Sequence, residues 1–195
     1  MRIKIQMNIK GGQVMIKRKS EKFEWVKSIM VAICLAFIIR SFFFSPIVVD
    51  GDSMNPTLQD KDRMVVTKIE EPKRFDIIVF HAPEGTDYIK RVIGLPGESI
   101  EYKNDILYIN GKAYNEPYLE KYKKTLNGGT LTGSFTLNET AVGSNTVPKD
   151  CLFVMGDNRR KSKDSRVIGA IPMDKVIGTT NVIYYPIKEI KIVNN

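Results

Sequence analysis

Residues Glu98 to Tyr114 read ESIEYKNDILYINGKAY. Alternating apolar and polar residues are interrupted first by Asn104-Asp105 and then by Asn110-Gly111. An Asn-Gly pair between alternating runs is a strong signal for a tight hairpin, because both turn positions need a positive φ that Asn and Gly tolerate. The period of two predicts strands with one face turned to a core.

The same grammar extends in both directions. Upstream stand IVV (47–49), RMVVTK (63–68), DIIVF (76–80) and YIKRVIGL (88–95); downstream stand CLFVMG (151–156) and VIGTTNVIYY (176–185). Strands this short and closely spaced, with no long amphipathic helix between them, predict a mainly β, antiparallel fold. Pro56 to Asp60 reads as a short turn, and no internal repeat is present. Residues 117–148, rich in Gly, Asn, Thr and Ser with a cluster at Lys121, Lys123 and Lys124, read as a small peripheral cap excursion.

The chain has 195 residues, enough for one good core, so an anchor followed by a single domain is expected. Its net charge of +8 is unevenly placed. Residues 1–28 hold eight Lys/Arg against Glu21 and Glu24, a net +6, which leaves +2 for everything downstream. Basicity confined to a leader ahead of an apolar run is a topology determinant and not a nucleic-acid footprint. The apolar run, from Val26 to Phe44, spans about 28 Å as a helix, close to the hydrocarbon thickness of a bilayer. Phe42, Phe43 and Phe44 end it and Pro46 follows, where a small-x-small cleavage site would stand, so the reading is an uncleaved anchor. The expected organisation is a cytoplasmic leader (1–25), a single transmembrane helix (26–44) and an extracytoplasmic catalytic domain (45–195), placed at the cell membrane with lipid as a partner.

Cys34 lies in the apolar run and Cys151 far along the chain, so no disulfide framework is expected. One histidine, and no CxxC or HExxH pairing, argue against a zinc site, and no cofactor is expected.

Three segments carry polar chemistry. Gly51-Asp52-Ser53-Met54-Asn55-Pro56-Thr57-Leu58 sets a serine between glycine and proline, a candidate nucleophile corner that also suits an ordinary turn. Two bases are on offer for Ser53: the sole histidine, His81, and Lys90 within Tyr88-Ile89-Lys90-Arg91-Val92-Ile93-Gly94. On a half-buried strand Lys90 and Arg91 point to opposite faces, so one of them is expected to face inward. Burial would favour Lys90 as a base, since desolvation disfavours an ammonium. The third segment, Gly156 to Arg166 (GDNRRKSKDSR), reads by composition as a solvated loop.

Together, GDSMNPTL, RMVVTK, YIKRVIGLPGE and GDNRRKSKDSR, in this order and behind a basic leader and anchor, resemble type I signal peptidases of the Gram-positive kind. The resemblance implies a β-rich Ser/Lys protease fold and an endopeptidase that cuts signal peptides from secretory preproteins after small residues of the Ala-x-Ala type. It implies Ser53 as nucleophile, Lys90 as general base and Ser162 as the residue orienting the lysine amine. Asp164 and Arg166 would brace the site with support from Asp157, and Val49, Met54, Leu58, Tyr88 and Ile89 would line small substrate pockets. Gly51 stands where Gram-negative relatives carry an oxyanion-binding hydroxyl, which leaves the Ser53 N–H as the donor at hand. A Ser/Lys protease with another substrate and a membrane-tethered binding module are the rival readings, and the number of copies in the assembly stays open.

Overall fold

The structure is a computed structural model that describes residues 21–68, 71–126 and 128–193. The chain divides into two compact units that part between Ser41 and Phe42. Most of the basic leader lies outside the described residues.

Helix α1 (Glu21–Phe43) holds 23 residues. Its large apolar side chains from Phe23 to Ile38, Trp25 and Phe37 among them, are exposed. Among the described residues no helix is long and apolar enough to cross a membrane, and the side chains of residues 39–44, part of the predicted span, lie outside them. The helix stops ahead of Pro46, whose missing N–H and fixed φ disfavour continuation.

From there the regular structure is mostly strand: β1 (Phe44–Val48), β2 (Arg63–Thr67), β3 (Ile77–His81), β4 (Asp87–Gly94), β5 (Ile100–Lys103), β6 (Ile106–Ile109) and β7 (Lys112–Tyr114). A one-turn helix α2 (Glu120–Lys124) precedes β8 (Phe135–Thr136) and β9 (Cys151–Met155). After α3 (Ser165–Ile168) come β10 (Ile171–Pro172), β11 (Val176–Tyr185) and β12 (Lys191–Ile192).

The strands form two sheets in which every pairing is antiparallel. The larger runs β1-β2-β11-β3-β4-β9-β10, with β12 beside β11; the smaller runs β7-β6-β5-β8. Pro46 falls on β1, an edge strand, where its missing donor leaves no gap in the ladder. The two turns of the Glu98–Tyr114 stretch form as expected: Asn104-Asp105 (φ 51° and 65°) joins β5 to β6, and Asn110-Gly111 (φ 51° and 76°) joins β6 to β7.

Three apolar clusters fix the core. Ile93, Tyr102, Leu107 and Phe153 belong to the one linking β4 and β9 with the smaller sheet. Val49, Met54, Leu58, Met64 and Ile77 anchor the start of the domain, and Ile78, Phe80, Val92 and Val154 form the third. Strand β4 supplies Ile93 to the first, Ile89 to the second and Val92 to the third, so both of its faces are covered.

The 117–148 stretch is anchored to the domain. Its β8 extends the smaller sheet beside β5, and Leu119, Leu131, Leu137 and Val147 are buried.

Candidate active site

The continuation of β1 is held by the Val49 N–H donating to Asp62 O (2.8 Å) and the Lys61 N–H donating to Val49 O (2.8 Å). Between these bonds the chain leaves the sheet. Gly51 turns at φ 89°, a conformation glycine adopts without strain, while its N–H donates to Asp60 Oδ1 (2.9 Å). The next residues form a turn closed by Asn55 N–H to Asp52 O (3.1 Å) and Leu58 N–H to Met54 O (3.1 Å). Met54 and Leu58 are buried and act as plugs, which leaves Ser53 on the rim.

Lys90 comes to meet it. Its Nζ lies 2.8 Å from Ser53 Oγ and 2.9 Å from Ile89 O, and the residue is only 3% exposed. The Tyr88 ring lies 4.9 Å from the same nitrogen. Burial pulls the Lys90 pKa from 10.5 down to about 8, while the charges of Asp164 and Asp157 pull in the opposite direction. An amine so placed donates to the serine oxygen when protonated and can accept the serine proton when neutral.

The expectation that only one of Lys90 and Arg91 faces inward is corrected: both are buried. The pleat does send them to opposite faces, but β4 carries apolar packing on both, Ile89 and Ile93 on one and Val92 on the other. The Arg91 charge is met by Asp157, through Nε to Oδ1 (2.9 Å) and Nη2 to Oδ2 (2.7 Å), and the guanidinium also donates to Phe75 O (2.8 Å) and lies over the Tyr118 ring. Thr57 Oγ1 donates to the same carboxylate, which ties the nucleophile turn to the 156–166 segment.

That segment is not a solvated loop. Asp157, Asn158, Arg159, Asp164 and Ser165 are all buried. The Asn158 N–H donates to Ser53 O (3.0 Å) and its Nδ2 to Asp52 O (3.1 Å), clamping the backbone of the nucleophile turn. Gly156 allows this approach, since a Cβ there would run into Ser53 O and Ser162 Oγ. Asp164 accepts the Gly156 N–H (3.0 Å) and a two-pronged pair from Arg166 (2.8 Å each), while Arg166 Nη2 also donates to Arg159 O (2.8 Å). Arg159 in turn reaches Glu116 Oε1 (2.6 Å) and the Tyr102 hydroxyl (2.7 Å), a buried cluster joining this segment to the smaller sheet. Ser162 Oγ is buried and makes no hydrogen bond among the described residues.

A groove of about 650 Å³ opens beside Ser53 and Lys90, with Val49, Met54, Tyr88 and Ile89 in its walls. Leu58, implied by resemblance as a pocket residue, is fully buried in the cluster with Met54 and Met64 and does not line the groove. His81, the alternative base, is exposed at the end of β3 and its Nδ1 contacts Asp87 Oδ1 (2.7 Å), whereas Lys90 is the candidate base within hydrogen-bonding distance of Ser53. Among the described residues no group of three or more His, Cys, Asp or Glu is placed to hold a metal ion. Thr57, Asn158, Arg159 and Glu116 were given no role in the sequence, although the first three stand in GDSMNPTL and GDNRRKSKDSR; Arg91 was noted there only for its place next to Lys90.

Residues 22–185 match the family described as signal peptidase, peptidase S26. The chain is 46% identical over 177 residues to a signal peptidase I of Bacillus caldolyticus, covering 89% of this chain and 94% of that protein. It is 42% identical over 180 residues to signal peptidase IB of Staphylococcus aureus, with the same coverage of both chains. The crystal structure of a signal peptidase I from Enterococcus faecalis V583 is similar at a TM-score of 0.55 and 45% identity, covering 57% of this chain and 97% of that one.

Proposed function

The chain belongs to the signal peptidase, peptidase S26, family and is a serine endopeptidase; from that premise we propose that it removes signal peptides from exported preproteins with Ser53 as nucleophile and Lys90 as general base. The observation that carries the assignment is the 2.8 Å contact between Lys90 Nζ and Ser53 Oγ, made by an amine that burial has stripped of water. Neutral Lys90 takes the Ser53 proton as Oγ attacks the scissile carbonyl. The Ser53 N–H supports the oxyanion, Gly51 offering no hydroxyl. Lys90 then passes the proton to the departing amine, and the acyl-enzyme is hydrolysed by a water that the same amine activates.

The supporting residues divide the remaining work. Asp157 fixes Arg91 and Thr57; Asp164 and Arg166 brace the segment that holds Ser53 in place. Orientation of the lysine amine falls to Ser162 on the family resemblance alone, since its buried hydroxyl, beside Gly156, makes no hydrogen bond to Lys90 in this structure. The groove walls of Val49, Met54, Tyr88 and Ile89 select small side chains before the cut, in the Ala-x-Ala manner. An extended substrate adds a strand along Ile47 to Asp50 and sends alternate side chains into the groove.

The leader and the segment 26–44 hold the enzyme in the cell membrane as a single pass, with the basic end in the cytoplasm and residues from 45 onward outside. Confinement to the surface that already holds the apolar part of a signal peptide raises the effective substrate concentration. The test is incubation of the detergent-solubilised protein with a preprotein, followed by sequencing of the new N-terminus. Wild type should release the mature protein, and Ser53→Ala should release none; cleavage by that variant removes the nucleophile assignment.

A further inference from the structure

Tyr88 is held from two directions. Its ring packs edge-on against Phe80, with centroids 6.1 Å apart, and its hydroxyl donates to Glu84 Oε2 (2.5 Å). The other Glu84 oxygen receives Lys163 Nζ in an ion pair. Glu84 belongs to the turn between β3 and β4, closed by Ala82 N–H to Thr86 O (2.9 Å) and Gly85 N–H to Ala82 O (3.0 Å). Lys163 belongs to the segment that clamps Ser53, between Ser162 and Asp164. Residues 79 apart in sequence are thus bridged beside the groove, with Tyr88 fastened to the bridge. Hydrogen bonds from Lys163 and Tyr88 hold the Glu84 carboxyl below the usual carboxylate range, and the same contact raises the Tyr88 phenol, so the tyrosine remains the donor.

A half-exposed ring whose hydroxyl has no partner is free to change rotamer, and a wall made by such a ring has no fixed position. We propose that Glu84 and Lys163 are positioning residues that lock the Tyr88 ring in the groove wall and thereby set the upper size of the substrate side chain accepted beside the scissile bond. The inference rests on the reading of the groove as the pocket for small side chains. The two charged side chains are 40% and 53% exposed, so the clamp is open to screening by salt.

The experiment compares kcat/KM of the full-length, detergent-solubilised protein on two preproteins that differ only in Ala or Val at the residue before the cut. Glu84→Gln and Lys163→Met are each expected to lower the Ala-over-Val preference by up to about fivefold, the range of an exposed ion pair. Glu84→Gln should retain most of its rate on the Ala substrate. Lys163→Arg should restore the preference, and wild type in 1 M salt should lose it to the same extent. Tyr88→Phe, which keeps the ring and removes its donor, should lower the preference as well, and adding Glu84→Gln to it should bring no further loss. An unchanged preference in Glu84→Gln and Lys163→Met overturns the proposal, as does an equal loss of rate on both substrates. A wild type that cuts the two preproteins equally well refutes the groove reading itself and takes this inference with it.

Discussion

Arg91 and Asp157 meet in a two-pronged ion pair with neither side chain exposed, one residue after Lys90 on one strand and one residue after Gly156 on the other side of the site. The pair gives the dyad a floor that cannot shift without leaving a charge alone in the core. Asp157→Ala should therefore cost about 3–5 kcal/mol, the range for orphaning a buried partner. Arg91→Met combined with Asp157→Leu should recover part of that loss, because no unpaired charge remains. Chemical denaturation of the single and double variants checks both statements; a double variant less stable than the sum of the singles would contradict this role.

The second prediction concerns pH. With Lys90 as the proposed general base, catalysis would need the neutral amine, so kcat/KM should rise with pH through about 8 and level off above it. The stability consequence has its own sign. Folded Lys90 gives up its proton at about 8 and unfolded lysine near 10.5, so between these values the unfolded chain binds more protons and stability climbs as pH rises. Below 8 the buried charge is a standing penalty. Lys90→Met should accordingly abolish cleavage and stabilise the fold at pH 7, by on the order of 2 kcal/mol. Lys90→Arg should be inactive across the whole range, since a guanidinium keeps its proton. Rate profiles and melting curves from pH 6 to 10 decide these points.

Gly156→Ala puts a methyl group against Ser53 O and Ser162 Oγ. Overpacking at so confined a place costs about 1–3 kcal/mol. The greater effect is expected on rate, because relief of the clash requires the Asn158 clamp on the nucleophile turn to open. A fall in kcat of tenfold or more with a small change in KM is the expected signature, and wild-type kinetics would rule out the clamp.

Ser162→Ala separates chemistry from stability. The hydroxyl has no hydrogen bond to lose, and its removal should leave the melting temperature unchanged or slightly higher. Its proposed duty, orienting the amine, predicts a drop in kcat of about tenfold or more. Full activity in the variant would leave Ser162 without a role.

The sequence was most readable where structure is local. Asn110-Gly111 forms a hairpin turn because two adjacent residues can both adopt positive φ, and nothing distant is required. Local structure made Ser53 and Lys90 only candidates, one by its turn and one by its strand, and the resemblance to signal peptidases chose them. The destination of Arg91 was not readable: alternation assigns it a face but cannot say that Tyr118 covers that face or that Asp157, 66 residues away, will neutralise it. The partners of the 156–166 segment were no more readable. Its composition reads as wet, yet Asp157 is met by Arg91 from β4, Arg159 by Glu116 from the smaller-sheet side, and Asp164 and Arg166 pair with each other. Leu58 shows the converse, a residue matched by motif that the packing has turned into the core.

The two buried carboxylates at 157 and 164 have a consequence for how the reaction is governed in its surroundings. By holding the lysine near 8 against the pull of burial, they preserve a strong proton acceptor but leave it mostly occupied at neutrality, with about one molecule in ten ready to react at pH 7. Mild alkalinity around the site would multiply that ready fraction several times over, and mild acidity would empty it. Throughput would then follow the local proton supply with no allosteric site involved.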